Sequence, residues 1–363
     1  MEKAQPGADS VPAHQGQEAP CEGQALHRRP LNRQSDLAAL GWKAFYADQV
    51  SPEEARHCVP VRVMAVHRGE IAIAGAGLEQ TVPSHLASSR GEEDRPAVGD
   101  WLLIDHETHE PQRILDRASL FKRRSAGAHR RVQLIAANVD TVFIVTSCDD
   151  DFNVARLERF LVLAGEVGVR PVVVLTKIDL TESVSDYRIA AESLQDGLEV
   201  VTVDARNPDH VARLAALCAK GETVALLGSS GVGKSTLVNT LRGSDDIATQ
   251  AVRVHDGKGM HTTTVRQMHR LAHGGWLLDT PGMREFQIAD AATGLAEVFD
   301  DIVSLARQCQ FRNCRHGTEP GCAISSAVKA GKLTARRLER WRKLAAEDAD
   351  NSLTRKERPG GYR

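Results

Sequence analysis

Two periodicities of apolar positions divide the chain into parts. Between residues 58 and 117, apolar and polar residues alternate in short runs, of which 59–63 and 98–104 are the clearest. Turn-forming residues separate the runs, at Arg68-Gly69 and again at 75–77. An apolar residue at every second position, interrupted by turns, is typical of short strands with one buried face. We therefore expect a small β-barrel in this part of the chain.

The pattern changes in the second part of the chain, where continuous apolar runs alternate with helical periodicities. The runs at 142–145 and 171–175 predict buried strands, and Asn153 is a predicted cap for a helix over 154–167 between them. Asn207, followed by proline, predicts the start of a further helix. Strands separated by helices predict a parallel sheet with ligand-binding loops at its carboxyl edge.

The two ends of the chain follow neither pattern. Residues 1–36 contain almost no large apolar side chain and predict a disordered tail, because such a segment cannot bury enough surface to offset the entropy of ordering. A short helix-like stretch follows over 37–48. Residues 328–346 have the pattern of a helix, and residues 347–363 predict a basic flexible tail.

Length, charge and hydropathy narrow the class of protein. At 363 residues the chain exceeds the size at which one core keeps growing, so two or three domains are expected. A formal net charge of −2 gives no overall argument for nucleic-acid binding, so basic residues have to act in patches. No apolar run approaches the roughly 18 residues that span a bilayer, and the N-terminus has no hydrophobic signal core. We expect a cytoplasmic protein without membrane insertion or export.

A phosphate-binding loop is the strongest local signal. Residues 228–235 match GxxxxGK[ST], with an apolar run over 223–227 before them and a helical pattern over 236–241 after them. Glycines let successive backbone N–H groups face phosphates, Lys234 reaches the terminal phosphates, and Ser235 ligates magnesium. A glycine-rich turn without a ligand is the alternative. The predicted nucleotide-binding residues of this loop are Gly228, Ser229, Ser230, Gly231, Val232, Gly233, Lys234, Ser235 and Thr236.

A candidate base-reading motif, Thr176-Lys177-Ile178-Asp179, follows a predicted buried strand. Asp179 can accept hydrogen bonds from both the ring N–H and the exocyclic amine of guanine, a pair that adenine does not offer, and the stem of Lys177 can lie against the base. Thr176 replaces the asparagine that usually opens this motif, which weakens one polar contact and keeps the carboxylate. We expect GTP rather than ATP. Residues 201–205 are a weaker candidate for completing the base pocket.

The order of the motifs is inverted relative to ordinary GTPases, in which the phosphate loop comes first and the base reader last. A third motif, Asp279-Thr280-Pro281-Gly282, ends an apolar strand; its aspartate can hold magnesium, and the N–H of Gly282 can meet a terminal phosphate. Residues 257–264 are rich in Gly and Thr and suit a switch in which a threonine, with Thr263 as the candidate, closes on magnesium. The order predicts a circularly permuted GTPase domain.

Cysteine usage predicts a metal site. The chain has seven cysteines, an odd number, with three concentrated near residues 309–322, which favours a reduced compartment and a metal over disulfides. Three thiolates and one imidazole within fourteen residues suffice for a closed tetrahedral zinc site, which is structural rather than catalytic. Free cysteines beside a chance histidine are the alternative. The predicted zinc ligands are Cys309, Cys314, His316 and Cys322.

In this motif order the chain resembles the bacterial ribosome small-subunit-dependent GTPase family, RsgA or YjeQ. The resemblance rests on residues 135–140 (IAANVD), 228–235, 261–264 and 279–282, and it covers about residues 37–341. It implies an OB-fold that contacts ribosomal RNA, a permuted GTPase domain and a Cys/Cys/His/Cys zinc unit. The length and strand pattern of residues 58–117 also suit an OB-fold, although a β module without a ligand has the same pattern.

The predicted reaction is in-line attack of water on the terminal phosphoryl group of GTP, in which most of the catalysis is positioning. Met283 stands where many GTPase domains place a glutamine that orients the water, so intrinsic hydrolysis should be slow. The resemblance implies that His261 supplies this role once the switch orders, while an ordinary surface or core histidine is the alternative. The predicted catalytic residues are Lys234, His261, Thr263, Asp279 and Gly282, with Ser235 and Asp279 holding magnesium.

The expected fold class is multidomain α/β. The predicted boundaries are a disordered tail over 1–36, an OB-fold RNA-binding domain over 37–118, a circularly permuted P-loop GTPase domain over 119–290, a small helical zinc-binding domain over 291–346 and a tail over 347–363. Two basic segments are candidate RNA contacts, with a solvated linker and a solvated helix as alternatives. Their residues are 122–124 and 129–131 in one segment, and Arg336, Arg337, Arg340, Arg342 and Lys343 in the other.

The resemblance implies a GTP-driven checkpoint in late maturation of the small ribosomal subunit. The implied partners are that subunit and its rRNA, and possibly other assembly factors, while the lack of a heptad seam predicts a monomer. Three alternatives stay open: an RNA chaperone that uses GTP as a structural ligand, a permuted GTPase of the large subunit, and an ATPase.

Overall fold

The computed structural model describes residues 33–86, 91, 93–124, 132–243, 266–279 and 291–356. Within these ranges the strands are β1 (Cys58–Val66), β2 (Glu70–Gly75), β3 (Leu78–Pro83), β4 (Trp101–Asp105), β5 (Pro111–Ile114), β6 (Leu120–Arg124), β7 (Val132–Ala137), β8 (Thr141–Ser147), β9 (Arg170–Thr176), β10 (Glu199–Thr202), β11 (Thr223–Leu227), β12 (Arg266–Arg270) and β13 (Trp276–Asp279). The helices are α1 (Arg33–Ala39), α2 (Ala44–Ala47), α3 (Glu54–His57), α4 (Val154–Val167), α5 (Val184–Glu192), α6 (Pro208–Ala216), α7 (Lys234–Arg242), α8 (Ala292–Val298), α9 (Asp300–Ala306), α10 (Ala323–Lys329) and α11 (Ala335–Lys356), with a short 3-10 turn over Ile178–Leu180. None of these helices combines the length and apolar character needed to cross a bilayer.

Strand β1 is the centre of the antiparallel part of the structure. It pairs with β2 along one edge and with β4 along the other, and β3 and β5 extend the sheet from those two strands. Apolar side chains on β1, β2, β3 and β4 form a buried cluster, as the alternation predicts: Val61, Val63, Ile71, Ile73, Val82, Leu102 and Ile104. The predicted short strands are confirmed, whereas the OB-fold stays a prediction.

Five parallel strands form a second part, in the order β10-β9-β8-β11-β13. Helix α4 begins at Asn153, whose side chain accepts from the backbone N–H of Arg156 at 3.0 Å, and α6 begins at Asn207 with Pro208 in its first turn. The parallel sheet and both helix starts are confirmed. Since the strands are parallel, the loops after β8, β9, β10 and β11 lie along one edge of the sheet, and β13 ends at the same edge.

Strand β12 joins the two parts into one sheet. It runs antiparallel to β13, and its first two residues pair with the last two of β1. Arg62 on β1 is fully buried and donates to the backbone carbonyls of Leu40 and Asn138 and, at 2.8 Å, to the hydroxyl of Thr223. Burial lowers the pKa of this guanidinium to about 10. The antiparallel strands are therefore tied to the base of the parallel sheet by backbone pairing and by a buried cation.

A buried ion network holds helix α11 against helix α4. The carboxylate of Glu158 on α4 is fully buried and accepts from Arg340 at 2.5 and 2.9 Å and from Arg337 at 3.3 Å. Arg337 also pairs with Asp301 at 2.7 Å and lies over the ring of Phe299 at 4.9 Å. The long C-terminal helix is therefore fixed to α4 through one fully buried carboxylate and two largely buried arginines.

Helix α8 approaches α4 so closely that only glycine fits at the crossing. A Cβ atom on Gly294 would lie 2.0 Å from the carbonyl oxygen of Val162, and one on Gly165 would lie 2.9 Å from the Cα atom of Gly294. Real Cβ atoms do not approach other atoms this closely. The start of the C-terminal part is thus packed backbone to backbone on α4.

Two predictions near the C-terminus are wrong. The helix predicted over 328–346 is interrupted, because Gly331 takes a left-handed conformation at φ 69° and the hydroxyl of Thr334 caps the start of α11. The flexible tail predicted over 347–363 is helical as far as Lys356, and Glu347 pairs with an arginine of α4 at 2.5 Å. The first part of the predicted tail therefore belongs to α11, and one of its charges is paired with α4.

The N-terminal predictions also need correction. Helix α1 begins inside the segment 1–36 that was predicted to be disordered, and the rest of that segment lies outside the described residues. The stretch 37–48 contains the end of α1 and all of α2, separated by a turn in which Gly41 has φ 92°. The carbonyl of Ala39 accepts from the indole N–H of Trp276 at 2.8 Å, so this turn packs against the parallel sheet.

Candidate nucleotide site and metal centre

The two nucleotide motifs meet at the carboxyl edge of the parallel sheet. The phosphate loop follows β11 and the base-reading motif follows β9, with β8 between them. The hydroxyl of Thr176 is fully buried and donates to the carbonyl of Val232 at 2.6 Å, with the carbonyl of Thr146 at 3.2 Å. The threonine that replaces the usual asparagine therefore anchors the phosphate loop directly.

The phosphate loop has the backbone that its glycines predict. Gly228, Gly231 and Gly233 have φ angles of 147°, 83° and 88°, and a Cβ on Gly228 would lie 2.2 Å from the carbonyl of Val145. Helix α7 begins at Lys234, whose ammonium donates to the carbonyls of Gly228, at 2.9 Å, and of Ser229. The loop thus curls around a cation at the N-terminus of a helix, which is the arrangement that binds phosphate.

An acidic residue that the sequence analysis missed holds the base-reading loop. Lys177 has a left-handed backbone, at φ 56°, and its ammonium donates to Asp149 at 2.9 Å. Asp149 also accepts from the hydroxyl of Ser147 at 2.6 Å. Burial raises the pKa of Asp149, but these hydrogen bonds outweigh it and hold the pKa below its usual value. Asp149 follows strand β8 at the carboxyl edge of the sheet. An acidic residue directly after a predicted buried strand is the sequence feature that could have identified it.

Of four further residues predicted for the hydrolytic site, the structure describes one, Asp279. Asp279 is the last residue of β13, which pairs with β11 in parallel, so its backbone lies at the same edge as the phosphate loop. His261, Thr263 and Gly282 lie outside the described residues. The structure therefore brings together the phosphate loop, the base reader and the backbone of Asp279, and the catalytic roles of all four residues stay predictions.

The contact of Thr176 with the phosphate loop gives a first testable expectation. Replacing Thr176 by valine removes the donor to the Val232 carbonyl and leaves that buried acceptor without its partner, at a cost of about 1 kcal/mol. We expect GDP affinity to fall by about fivefold, measured by titration calorimetry. Thr181→Val is the control, because its hydroxyl accepts from Ser183 instead. Unchanged GDP affinity in Thr176→Val would show that the contact does not organise the loop.

The four predicted zinc ligands come together. The potential ligand atoms of Cys309, Cys314, His316 and Cys322 all lie within 4.8 Å of one another. The Nδ1 atom of His316 is 3.5 Å from the sulfur of Cys309 and 4.0 Å from that of Cys322. Ligands around tetrahedral zinc, at about 2.0–2.3 Å from the metal, are about 3.5–3.8 Å apart. The donor set fits zinc, the ligand atoms lie close to this spacing or up to about 1 Å beyond it, and the binding of a metal stays a prediction.

The backbone around this cluster favours thiolate ligands. The sulfur of Cys314 accepts from the N–H of His316 at 3.4 Å, and the sulfur of Cys322, at the N-terminus of α10, accepts from the N–H of Ser325 at 3.4 Å. Burial raises the pKa of Cys322, but hydrogen bonds from Ser325 and His316 outweigh it and lower the pKa to about 6. Burial raises the pKa of Cys314 to about 11. The two thiols thus differ in how readily they lose a proton.

Several basic residues that were predicted to face RNA form contacts within the protein instead. Arg337 and Arg340 bind Glu158, and Arg342 donates to the carbonyl of His316. Arg336 and Lys343 are exposed on the same helix. In the basic segment that comprises residues 122–124 and 129–131, Lys122 pairs with Glu93 at 2.9 Å. Residues 129–131 lie outside the described part. The helix therefore offers fewer free cations than its composition predicts.

Comparison with known sequences connects this site to one family. A sequence model of the RsgA GTPase matches residues 114–289. The chain is 49% identical over 320 residues to the small ribosomal subunit biogenesis GTPase RsgA of Mesorhizobium japonicum, covering 87% of this chain and 91% of that protein. It is 42% identical over 325 residues to the small ribosomal subunit biogenesis GTPase RsgA 2 of Vibrio parahaemolyticus, covering 89% of each.

Two solved structures share the fold. YjeQ from Thermotoga maritima matches 80% of this chain and 98% of its own, with a TM-score of 0.57 and 24% identity. YloQ, described as a circularly permuted GTPase, matches 81% of this chain and 96% of its own, with a TM-score of 0.56 and 22% identity. The permuted fold that the motif order predicts is confirmed.

Proposed function

Because the chain belongs to the RsgA GTPase family, we propose that it is a GTPase of small ribosomal subunit biogenesis, acting as a late checkpoint. The relatives from Mesorhizobium and Vibrio are named for that process. The observation that carries the proposal is the hydrogen bond from Thr176 to Val232, at 2.6 Å, which joins a guanine-reading loop to a phosphate loop. One ligand with a guanine base and a phosphate chain would contact both.

The proposed chemistry is in-line attack of water on the terminal phosphoryl group of GTP. Lys234 neutralises charge on the phosphates, and backbone N–H groups of the loop orient them. Magnesium would be held by Ser235, at the start of α7, and Asp279, at the end of the adjacent strand; a hydroxyl and a carboxylate are ligands that this ion prefers. When bound, it supplies further charge stabilisation.

We propose that His261 orients the attacking water when the protein is bound to the subunit. Met283 cannot do so, because a thioether is only a weak hydrogen-bond acceptor. The protein alone should therefore turn over slowly. In this account the ribosomal subunit acts as the activator, since it provides the contacts that place His261.

Two modules outside the GTPase part are proposed to contact rRNA. One is the antiparallel part, proposed to be an OB-fold, and the other is the zinc unit, whose helix α11 exposes Arg336 and Lys343. We assign the zinc ion a structural role, because four protein ligands leave no position open for water. We further propose a monomeric protein that works in the cytoplasm, with domains near 37–118, 119–290 and 291–346.

The test is GTP turnover by the purified protein alone, with small subunits and with large subunits. We expect at least a tenfold stimulation by small subunits only, equivalent to about 1.4 kcal/mol of barrier, and its loss in His261→Ala. His273→Ala is the control, because that histidine is exposed in the turn between β12 and β13. Stimulation by large subunits instead, or by neither, contradicts the proposal, and the second outcome favours a chaperone that uses GTP structurally.

A further inference from the structure

A side chain from a third loop reaches the base-reading motif. Arg206 follows β10, the strand next to β9, and its Nη2 atom donates to Oδ2 of Asp179 at 2.6 Å. Its Nε atom lies 3.3 Å from Oδ1 of Asp204, and its backbone N–H donates to the same oxygen at 3.0 Å. The guanidinium therefore bridges a carboxylate of its own turn and the carboxylate proposed to read guanine.

The turn that carries Arg206 is held on three sides. Before it, the N–H of Val203 donates to the carbonyl of Leu175 on β9 at 2.8 Å. At its centre, the carbonyl of Ala205 accepts from the hydroxyl of Thr240, on the helix that follows the phosphate loop, at 2.6 Å. After it, Asn207 caps α6. The backbone of Arg206 is therefore held between the strand before the base-reading motif and the helix after the phosphate loop, which places its side chain within reach of Asp179.

The other two side chains of the base-reading motif have their own supports. Thr176 is buried against the phosphate loop, and the ammonium of Lys177 is held by Asp149. Asp179 lies in the short 3-10 turn, and within the described residues its carboxylate pairs with Arg206. Each of the three polar positions of the motif is thus positioned from a different neighbouring loop.

We propose that Arg206 is a positioning residue for guanine recognition, acting through the carboxylate of Asp179. The inference rests on the proposed guanine-reading role of Asp179. A carboxylate has about four lone-pair sites, and the ring N–H and exocyclic amine of guanine take two of them. Arg206 can therefore stay bound while the base is read, and its contact with Oδ2 restrains the orientation of the carboxylate.

In a competing role, Arg206 would weaken guanine binding by occupying Asp179. If guanine had to displace the arginine from Asp179, removal of Arg206 would strengthen binding. The bridge to Asp204 favours positioning, because it keeps the guanidinium in place independently of Asp179. Hydrogen bonds from Arg206 also lower the pKa of Asp204, so both groups stay charged at neutral pH.

The test compares binding of GDP and of inosine diphosphate, which lacks the exocyclic amine, to the full chain by titration calorimetry. For Arg206→Ala we expect GDP affinity to fall by about threefold, as for other exposed ion pairs, and inosine diphosphate affinity to fall less. The preference for GDP should therefore shrink. Arg206→Lys should keep part of the preference, since it retains the charge but not the fork that reaches two carboxylates.

Two further variants make the result specific. Arg188→Ala is the matched control, because Arg188 forms a 2.6 Å ion pair with Glu192 on the exposed surface of α5 and should leave both affinities unchanged. When Asp179→Asn is already present, Arg206→Ala should not change GDP affinity further, because the carboxylate through which Arg206 acts has been removed.

The outcomes separate this inference from the proposed function. If Asp179→Asn weakens GDP binding while Arg206→Ala leaves the GDP preference intact or strengthens GDP binding, the positioning role is wrong and the guanine-reading role stands. If Asp179→Asn leaves GDP affinity unchanged, the guanine-reading role is wrong and the positioning role falls with it.

Discussion

Replacing Cys314 by alanine should abolish tight zinc binding and loosen residues 309–322. This segment contains no helix or strand and is largely exposed, so a metal is the main cross-link available to order it. Structural zinc contributes about 10–16 kcal/mol to the folding of small zinc-finger peptides at neutral pH. Losing one of four ligands should cost more than the roughly 10–100-fold in affinity that follows loss of an outer-shell partner.

The measurements are the zinc content of the purified protein and hydrogen exchange of helix α10. In Cys314→Ala we expect less than one zinc per chain after dialysis, together with faster exchange in α10, while GDP binding is retained. Cys58→Ala makes the same chemical change on β1, away from the cluster, and should keep its zinc. Full zinc content and unchanged exchange in Cys314→Ala would rule out this residue as a ligand.

The direction of the pH dependence of zinc binding follows from the thiol pKa values. Zinc binds thiolates, so binding must remove the proton from any ligand thiol that is protonated in the metal-free protein. Cys322, with a pKa of about 6, is already a thiolate at neutral pH, whereas Cys314, with a pKa of about 11, is not. The apparent zinc affinity should therefore keep rising as the pH is raised above 7, measured by competition with a chelator.

Local signals predicted most of the nucleotide site, because each motif carries its own structural context. The phosphate loop needs a strand before it and a helix after it, and both flanks are visible in the sequence. Asn153 and Asn207 predicted helix starts correctly, since a cap depends on residues only a few positions away. The four predicted metal ligands could be proposed for the same reason, because all four lie within a single short segment.

The missed features depend on partners that are distant in the chain. Glu158 has the appearance of a surface charge on an amphipathic helix, and its burial follows only from the arrival of Arg337 and Arg340, about 180 residues later. The same arginines were predicted to face RNA. Arg206 had no local signal either, because its role follows from the adjacency of β10 and β9. Helix periodicity identifies a face but does not identify what covers it.

The ion network around Glu158 leads to the second large effect. Replacing Glu158 by alanine removes a fully buried carboxylate and leaves Arg340, whose side chain is 19% exposed, without its partner. Breaking a buried pair costs about 3–5 kcal/mol, and we expect the low end of that range here. Helix α11 also contacts the metal cluster, since the ring of Trp341 lies 5.9 Å from that of His316 and Arg342 donates to the carbonyl of His316. We therefore expect the variant to loosen α11 and the metal cluster together, while the phosphate loop keeps its affinity for GDP.

Hydrogen exchange resolved by segment is the suitable measurement, because a protein of several parts need not unfold in one step. In Glu158→Ala, amides of α11 should exchange through local opening at a rate at least a hundredfold above wild type, as about 3 kcal/mol implies. The matched control is Glu347→Gln, which breaks the partly exposed pair between the same two helices at Arg159 and should cost at most about 1 kcal/mol.

A double replacement separates loss of charge pairing from loss of packing. Glu158→Met with Arg340→Met removes the buried carboxylate and its nearest partner and keeps apolar volume, while Arg337 retains its pair with Asp301. Exchanges of this kind are often neutral or stabilising. We expect it to recover most of the protection that Glu158→Ala loses. If Glu158→Ala protects α11 as well as wild type does, the network does not hold the helix. If the double variant is as unprotected as the single one, the specific hydrogen bonds rather than unpaired charge hold the C-terminal part on α4.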